Sequence, residues 1–317
     1  MAPTAGPGPR SPDPLEPLNS LDLPPAFIRH NQSDPAWLRA LPERLERLAA
    51  RWSLTLHSRF PEIAINYVAP ATRADGTPCV LKVSRHVGET RNEIAALRLW
   101  DGHGAARLQE ADPNIGALLL ERLEPGTMLV EVAETDDDAA TAITAGVLRQ
   151  LWRPVPERHG LRPLESWCAA YDRNRKALSG GAGGFSAALF QRADALRRDL
   201  LASTEAPVVL HGDMHHFNVL RAQRARRARR AEWLTIDPKG LVGDRSFDVC
   251  QFLRNPHDVP PSVNGRRLDT FCAELGLDRA RTKAWCFVHA VLDACWDFED
   301  GNPWRRAVAY AEETQSF

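Results

Sequence analysis

Apolar residues recur along this chain first at helical spacing, then in short strand-like runs, then at helical spacing to the end. After Asp34, suited to an N-cap, and Pro35, Trp37, Leu38 and Leu41 mark a helix that pauses at Pro42 and resumes with Leu45, Leu48 and Trp52. Short apolar and β-branched runs follow near 62–69, 79–84, 106–110 and 116–123, and the tight-turn pair Asp75-Gly76 precedes the second. Between the second and third runs, Glu89 to Trp100 carries Ile94, Leu97 and Trp100 at helical spacing, and Gly102-His103-Gly104 stops it. Glu124-Pro125-Gly126 breaks the pattern. Helical periods dominate beyond it, over 137–152, 163–178, 186–203 and most of the chain after Ser246. Residues 1–25 are rich in Pro and poor in large apolar side chains; they cannot offset the entropy of ordering and are expected to form a disordered tail.

At 317 residues and 44% hydrophobic, the chain can bury one large core or two lobes sharing a cleft. A formal charge of -1 supplies no field favouring nucleic acid. No apolar stretch is long enough to cross a membrane and no secretion signal is evident, so a cytoplasmic location is expected. The six cysteines form no CxxC pair and sit among apolar neighbours, as reduced core thiols do. An Arg-rich run, Arg221, Arg224, Arg226, Arg227, Arg229 and Arg230, falls between two strand-like segments, where a solvated hairpin connection is expected rather than a nucleic-acid patch.

The chemistry concentrates between Leu210 and Val249. His211-Gly212-Asp213-Met214-His215-His216-Phe217-Asn218 is followed by Ile236-Asp237-Pro238 and by Gly243-Asp244-Arg245-Ser246-Phe247-Asp248. An Asp, an Asn five residues on, and a second Asp after a hydrophobic strand form the pattern by which kinases place a hydroxyl and metal ions beside ATP. Asp213 can orient or deprotonate the attacking hydroxyl, while Asn218 and Asp237 offer hard oxygen ligands for Mg²⁺. Taken singly, Asp and Asn are ordinary turn residues; the joint spacing favours chemistry. A competing reading takes His211, Asp213, His215 and His216 as zinc ligands of a metallohydrolase, which leaves Asn218 and Asp237 without a task.

Lysines are few: Lys82, Lys176, Lys239 and Lys283. Lys82 sits in the run Cys79 to Val83, and Glu93, eleven residues on, borders the apolar face of the following helix, so the two are expected to pair and hold the α and β phosphates. Lys239, just after Asp237, could reach a phosphate; as a loop lysine it is expected to face solvent.

With these residues in view, the chain resembles the aminoglycoside phosphotransferase family, in particular its streptomycin 6-phosphotransferase and hydroxyurea phosphotransferase branch. Ala74 to Pro78, Leu119 to Leu123, His211 to Asn218, Ile236 to Pro238 with Gly240 to Asp244, and Trp296 to Gly301 carry the likeness. The resemblance implies an α+β, protein-kinase-like two-lobed fold: a small antiparallel-sheet N-lobe over 26–123, a larger mainly helical C-lobe over 124–317, and the active site between them. It implies ATP and Mg²⁺ as cofactors, Asp213 as the catalytic residue, Asn218 and Asp237 on the metal, Lys82 and Glu93 on the phosphates, and the backbone from Glu121 to Leu123 as the adenine-binding hinge. No G-x-G-x-x-G occurs, so Ser58 to Asn66, with Ser58, is expected to cover the phosphates. Asp248 is expected to be structural, tying the loop that carries Asp237. Trp296, Asp297, Glu299 and Asp300, with Asp293, suit a cationic, hydroxyl-bearing small molecule such as streptomycin, against the alternative of a plain charged helix end. The activity so implied is an ATP-dependent phosphotransferase acting on a streptomycin-type aminoglycoside, with a kinase for hydroxyurea or a cellular metabolite as the alternative.

Overall fold

The computed structural model describes residues 21–223, 232–256, 259–314 and 316. Most of the expected tail, and Arg224, Arg226, Arg227, Arg229 and Arg230, lie outside the described residues. Two compact units form, one from the chain up to Val87 together with Gln109–Arg122, the other from Gly88–Leu108 and Leu123–Phe317.

The first unit begins with helices α1 (Pro25–Asn31) and α2 (Pro35–Trp52). Asp34 caps α2 by accepting the Trp37 N–H. Contrary to the expected pause, α2 runs unbroken through Pro42. A helix-interior proline costs about 3 kcal/mol, but Trp37, Leu41, Leu45, Leu48 and Trp52 form one buried stripe across it, and each such side chain returns about 1.5–3 kcal/mol on burial.

Strands β1 (Leu54–Leu56), β2 (Tyr67–Arg73) and β3 (Pro78–Val83) follow, then helix α3 (Val87–Trp100) and strands β4 (Leu108–Asp112) and β5 (Ala117–Glu121). The sheet order is β1-β2-β3-β5-β4. The strand expected at 62–69 begins instead at Tyr67, and Ser58–Asn66 is irregular. Asp75-Gly76 makes the expected turn between β2 and β3: Gly76 has φ +84° and the Asp75 carboxylate accepts the Thr77 N–H. Cys79, Leu81 and Val83 enter the core with Ala69, Ala71, Ala117 and Leu119 under α2. By the two-residue period of a strand, Lys82 therefore stands on the opposite face of the sheet.

In the second unit, α3 is tied to residues 151–153: the Trp100 indole donates to the Leu151 carbonyl and Arg153 donates to that of Leu99. These bonds group residues 88–108 with the second unit, whereas the expected boundary kept all of 26–123 together. The unit continues with β6 (Pro125–Met128), α4 (Leu129–Ala133), α5 (Asp137–Leu151), β7 (Arg162–Pro163), α6 (Leu164–Trp167), α7 (Ala170–Ser179) and α8 (Ala187–Ala202). Strands β8 (Val208–Leu210), β9 (Val219–Ala222), β10 (Glu232–Thr235) and β11 (Leu241–Gly243) then precede α9 (Cys250–Leu253), α10 (Pro261–Leu275), α11 (Arg279–Glu299) and α12 (Arg305–Glu313). Two small sheets, β10-β9-β6 and β7-β11-β8, frame the loops that carry the candidate chemistry.

Candidate active site

Loop 211–218 leaves β8, and loop 236–240 links β10 to β11. Strands β9 and β10 pair antiparallel, Val219 opposite Thr235, while β8 and β11 pair Leu210 opposite Leu241. This double pairing brings two loops far apart in sequence side by side. The Lys239 N–H donates to the His211 carbonyl at 2.7 Å. Two glycines permit the approach. A Cβ on Gly212 (φ +81°) would lie 2.7 Å from Leu241 Cδ1, and one on Gly240 (φ +62°) would lie 2.2 Å from the Asn92 carbonyl oxygen in α3.

His211 joins the loops from inside. Its Nδ1 accepts the Asp213 N–H, and its Nε2 lies 2.9 Å from the Ile236 carbonyl and 2.7 Å from Thr235 Oγ1. Burial pushes this imidazole down to about 4, so it is neutral, with Nδ1 as acceptor and Nε2–H as donor. Asp248 anchors the start of the same loop. Its carboxylate accepts the His211 and Gly212 N–H groups and the Trp152 indole N–H. Asp248 thus holds the loop of Asp213, not the loop of Asp237 that the sequence suggested.

Asp213 is one-fifth exposed. Burial would raise its carboxyl, but the neighbouring Lys239 cation and the two imidazoles more than offset that and keep it below the usual carboxylate range. The Asn218 side-chain nitrogen donates to the Asp213 carbonyl and lies 3.1 Å from His215 Nε2, which turns the amide oxygen the other way. Asp237 sits at φ +58°, a left-handed conformation that Asp tolerates better than most residues. One carboxylate and one amide oxygen on adjoining loops are hard oxygen donors that would suit Mg²⁺.

Lys239 is drawn inward, where solvent exposure was expected. Its Nζ stands 3.3 Å from Asp213 Oδ2 and 3.6 Å from Asp237 Oδ2, with the side chain 23% exposed. At an effective ε near 20, attraction at 3.3 Å is roughly 5 kcal/mol, against about 2 kcal/mol of lysine rotamer entropy. Burial lowers its pKa, but Asp237, Asp213, Glu93 and Glu89 together raise it well above the ordinary value. Glu93 and Glu89 on α3 therefore act on the site alongside the two loops.

Among the described residues no cluster of three or more His, Cys, Asp or Glu is placed to hold a metal ion, so His211, Asp213, His215 and His216 are not brought together as a zinc ligand set. His216 is buried with its ring stacked 3.8 Å from that of Phe252. The remaining candidates lie as follows. Lys82, 5% exposed, and half-buried Glu121 belong to the first unit, with Ser58 exposed in the loop after β1. Leu123 joins a small apolar cluster with Ala106, Ala222 and Leu234 in the second unit.

The acidic end of α11 divides. Asp293 pairs with Arg254 and with His289 Nδ1 at 3.2 Å. Glu299 is held by Arg173 through both carboxylate oxygens and by the Asn174 side chain, so it is committed within the fold. Half-buried Trp296 meets Trp167 edge-on at 5.4 Å, and the Asp297 carboxyl is pushed up by burial. Asp300 is exposed at the C-cap. Arg254 and His289 were not singled out by spacing; no periodicity marks them, and only the fold supplies their partners.

A solved structure with 17% sequence identity, a choline/ethanolamine kinase family protein from Mesorhizobium loti, superposes with a TM-score of 0.61 over 90% of this chain and 94% of its own, which shows an α+β kinase-like fold. The model of the aminoglycoside/hydroxyurea antibiotic resistance kinases matches residues 51–301, and the chain belongs to that family. It is 38% identical to a streptomycin 6-kinase of Streptomyces glaucescens over 84% of this chain and 86% of the relative. It is 35% identical to a hydroxyurea phosphotransferase of Kitasatospora aureofaciens over 87% and 79%.

Proposed function

We propose that this protein is a cytoplasmic, Mg·ATP-dependent kinase that phosphorylates a hydroxyl of a streptomycin-type aminoglycoside. The observation that carries the reading is the ionised Asp213, set beside Asp237 and Asn218 on two interlocked loops. The similarity to a streptomycin 6-kinase over most of both chains supports the acceptor class.

In this reading Asp213 receives the acceptor hydroxyl and orients it toward the γ-phosphorus. Asn218 and Asp237 hold Mg²⁺, which when bound supplies charge to neutralise the phosphate oxygens. Lys82 and Glu93 take the α and β phosphates, Ser58 and backbone amides cover them, and the backbone around Glu121 and Leu123 receives the adenine. Trp296, Asp297 and Asp300 face the acceptor. Positioning and charge carry most of the rate, because phosphoryl transfer asks little covalent work of the protein.

The test is ADP release from Mg·ATP with streptomycin, with hydroxyurea and with neither. Streptomycin-dependent turnover is expected, and Asp213→Ala should lower it about 10²–10⁴-fold while nucleotide binding persists. Turnover with hydroxyurea alone would move the assignment to that acceptor. Near-normal streptomycin turnover in Asp213→Ala would remove the residue from its role.

A further inference from the structure

We propose that Lys239 is a catalytic residue of this phosphotransfer: its ammonium steadies the Asp213 carboxylate and passes to an oxygen of the γ-phosphoryl group as the acceptor hydroxyl attacks. The inference rests on the kinase reading above and adds a residue to it.

The distances set the reach. A hydroxyl held by Asp213 lies about 2.6–3.2 Å from the carboxylate, and a reactive phosphorus lies about 3–3.5 Å from that hydroxyl. Lys239 Nζ is 3.3 Å from Asp213 Oδ2. The ammonium and the transferring group thus share Asp213 as a neighbour, and rotation of the flexible lysine stem closes the gap. The backbone beneath that stem is fixed, by the Lys239 N–H on the His211 carbonyl and by Gly240 against Asn92. A lysine with a rigid root and a mobile tip, aimed at two functional carboxylates, differs from a solvated loop lysine.

Charge points the same way. Between Asp213 and Asn218 the loop carries Met214, His215, His216 and Phe217, with no lysine or arginine. The cation beside Asp213 comes instead from the neighbouring loop. Lys239 Nζ also lies 3.6 Å from Asp237 Oδ2, so with a divalent ion on Asp237 the ammonium would be left to Asp213 and the phosphoryl oxygens. Before nucleotide arrives, lysine and metal compete for one carboxylate.

The bond changes balance. The acceptor oxygen forms a bond to the γ-phosphorus, its proton passes to Asp213, and the bond from the γ-phosphorus to the bridging oxygen breaks, its electron pair leaving with ADP. Lys239 keeps all its N–H bonds throughout and contributes hydrogen bonding and charge.

The experiment compares wild type with Lys239→Met and Lys239→Arg in streptomycin phosphorylation, and titrates Mn²⁺ into nucleotide-free protein by electron paramagnetic resonance. Lys239→Met should lower kcat about 10²–10³-fold with the KM for ATP moving less than about threefold, and Lys239→Arg, which keeps the charge, should recover at least about tenfold of the loss. Nucleotide-free Lys239→Met should bind Mn²⁺ several-fold more tightly than wild type. A kcat within about threefold of wild type, a loss confined to KM, an arginine variant no better than methionine, or unchanged Mn²⁺ affinity would each overturn the proposal. Lys239→Gln repeats the comparison should the methionine variant melt below the assay temperature. If the wild type itself fails to phosphorylate streptomycin, the acceptor assignment falls, and the Mn²⁺ titration still decides whether Lys239 shares Asp237 with a cation.

Discussion

Asp248→Asn is expected to loosen the loop of Asp213 while leaving the protein folded. In the wild type, Asp248 Oδ2 accepts the His211 N–H and the Trp152 indole N–H, each at 3.0 Å, and Oδ1 accepts the Gly212 N–H at 2.7 Å. Each bond to a charged acceptor contributes about 1.5–3 kcal/mol. Asparagine offers one oxygen, so its NH₂ must point at a buried donor on one side or the other, and at least one bond is lost. An opposing effect comes from burial, which pushes the Asp248 carboxyl up to about 6 from an ordinary 3.8. Two pKa units correspond to roughly 3 kcal/mol, a cost of burying the charge at neutral pH that the amide avoids. The two effects nearly offset, and the net loss of stability should be under about 2 kcal/mol. Asp248→Ala removes all three bonds and should cost about 3–5 kcal/mol. Function should suffer more than stability. Gly212 adjoins Asp213, and misplacing a reacting group by about 1 Å costs up to about 10²-fold. Urea unfolding, read by circular dichroism, and kcat from coupled ADP release measure the two quantities separately. Full kcat in Asp248→Asn, or equal stability of the Asn and Ala variants, would refute the anchoring argument. Because the folded pKa lies above the unfolded one, the native state holds the extra proton between about 4 and 6, so this group's contribution declines as pH rises through that window. The Asn variant should lack that slope.

Two further outcomes rest on the same geometry. Gly240→Ala places a methyl 2.2 Å from the Asn92 carbonyl at φ +62°; the strain and the forced separation of loop from α3 should cost at least about 2 kcal/mol and lower kcat at least about tenfold, measured by the same unfolding and turnover assays. His289, held down to about 3 chiefly by burial and then by Arg254, takes up its proton in the unfolded chain first, near 6.5. Its contribution is complete above that pH and is lost on acidification toward 3, on the order of 5 kcal/mol in all. The stability gap between wild type and His289→Gln should therefore narrow from pH 7 to pH 5, and a constant gap would rule out this linkage.

What the sequence discloses here is residue type and spacing, and the features that depend on those alone were legible. The Asp75-Gly76 hairpin and the Asp34 cap need only local backbone chemistry. Asp213, Asn218 and Asp237 stood out by their spacing before any fold was in view. Features set by distant partners were not legible. Pro42 signals a break, and a stripe of five buried side chains overrides it. Lys239 reads as a loop lysine until β8–β11 pairing sets it between carboxylates 26 residues and 2 residues away along the chain. Asp248 has the right spacing for an anchor, yet only the fold shows that it grips His211 and Gly212.

The end of α11 poses a charge problem whose solution bears on the acceptor. Its last turn holds Asp297 and Glu299, Asp300 caps it, and no basic residue lies in that turn. Acids at the negative end of a helix dipole are disfavoured by about 0.3–1 kcal/mol each, so an arrangement with several of them needs a compensating cation. Arg173 supplies one for Glu299, and Arg254 supplies one for Asp293. Among the described residues neither Asp297 nor Asp300 forms an ion pair. Burial raises the half-buried Asp297 carboxyl, and Arg254 only partly counters it. On the proposed reading, a guanidinium-bearing acceptor would supply charge at these two carboxylates, counter the burial that raises Asp297 and relieve the helix end together. If Asp297 and Asp300 face the acceptor as proposed, a cationic substrate suits this helix end better than an uncharged one, because a neutral molecule would leave both carboxylates as they are.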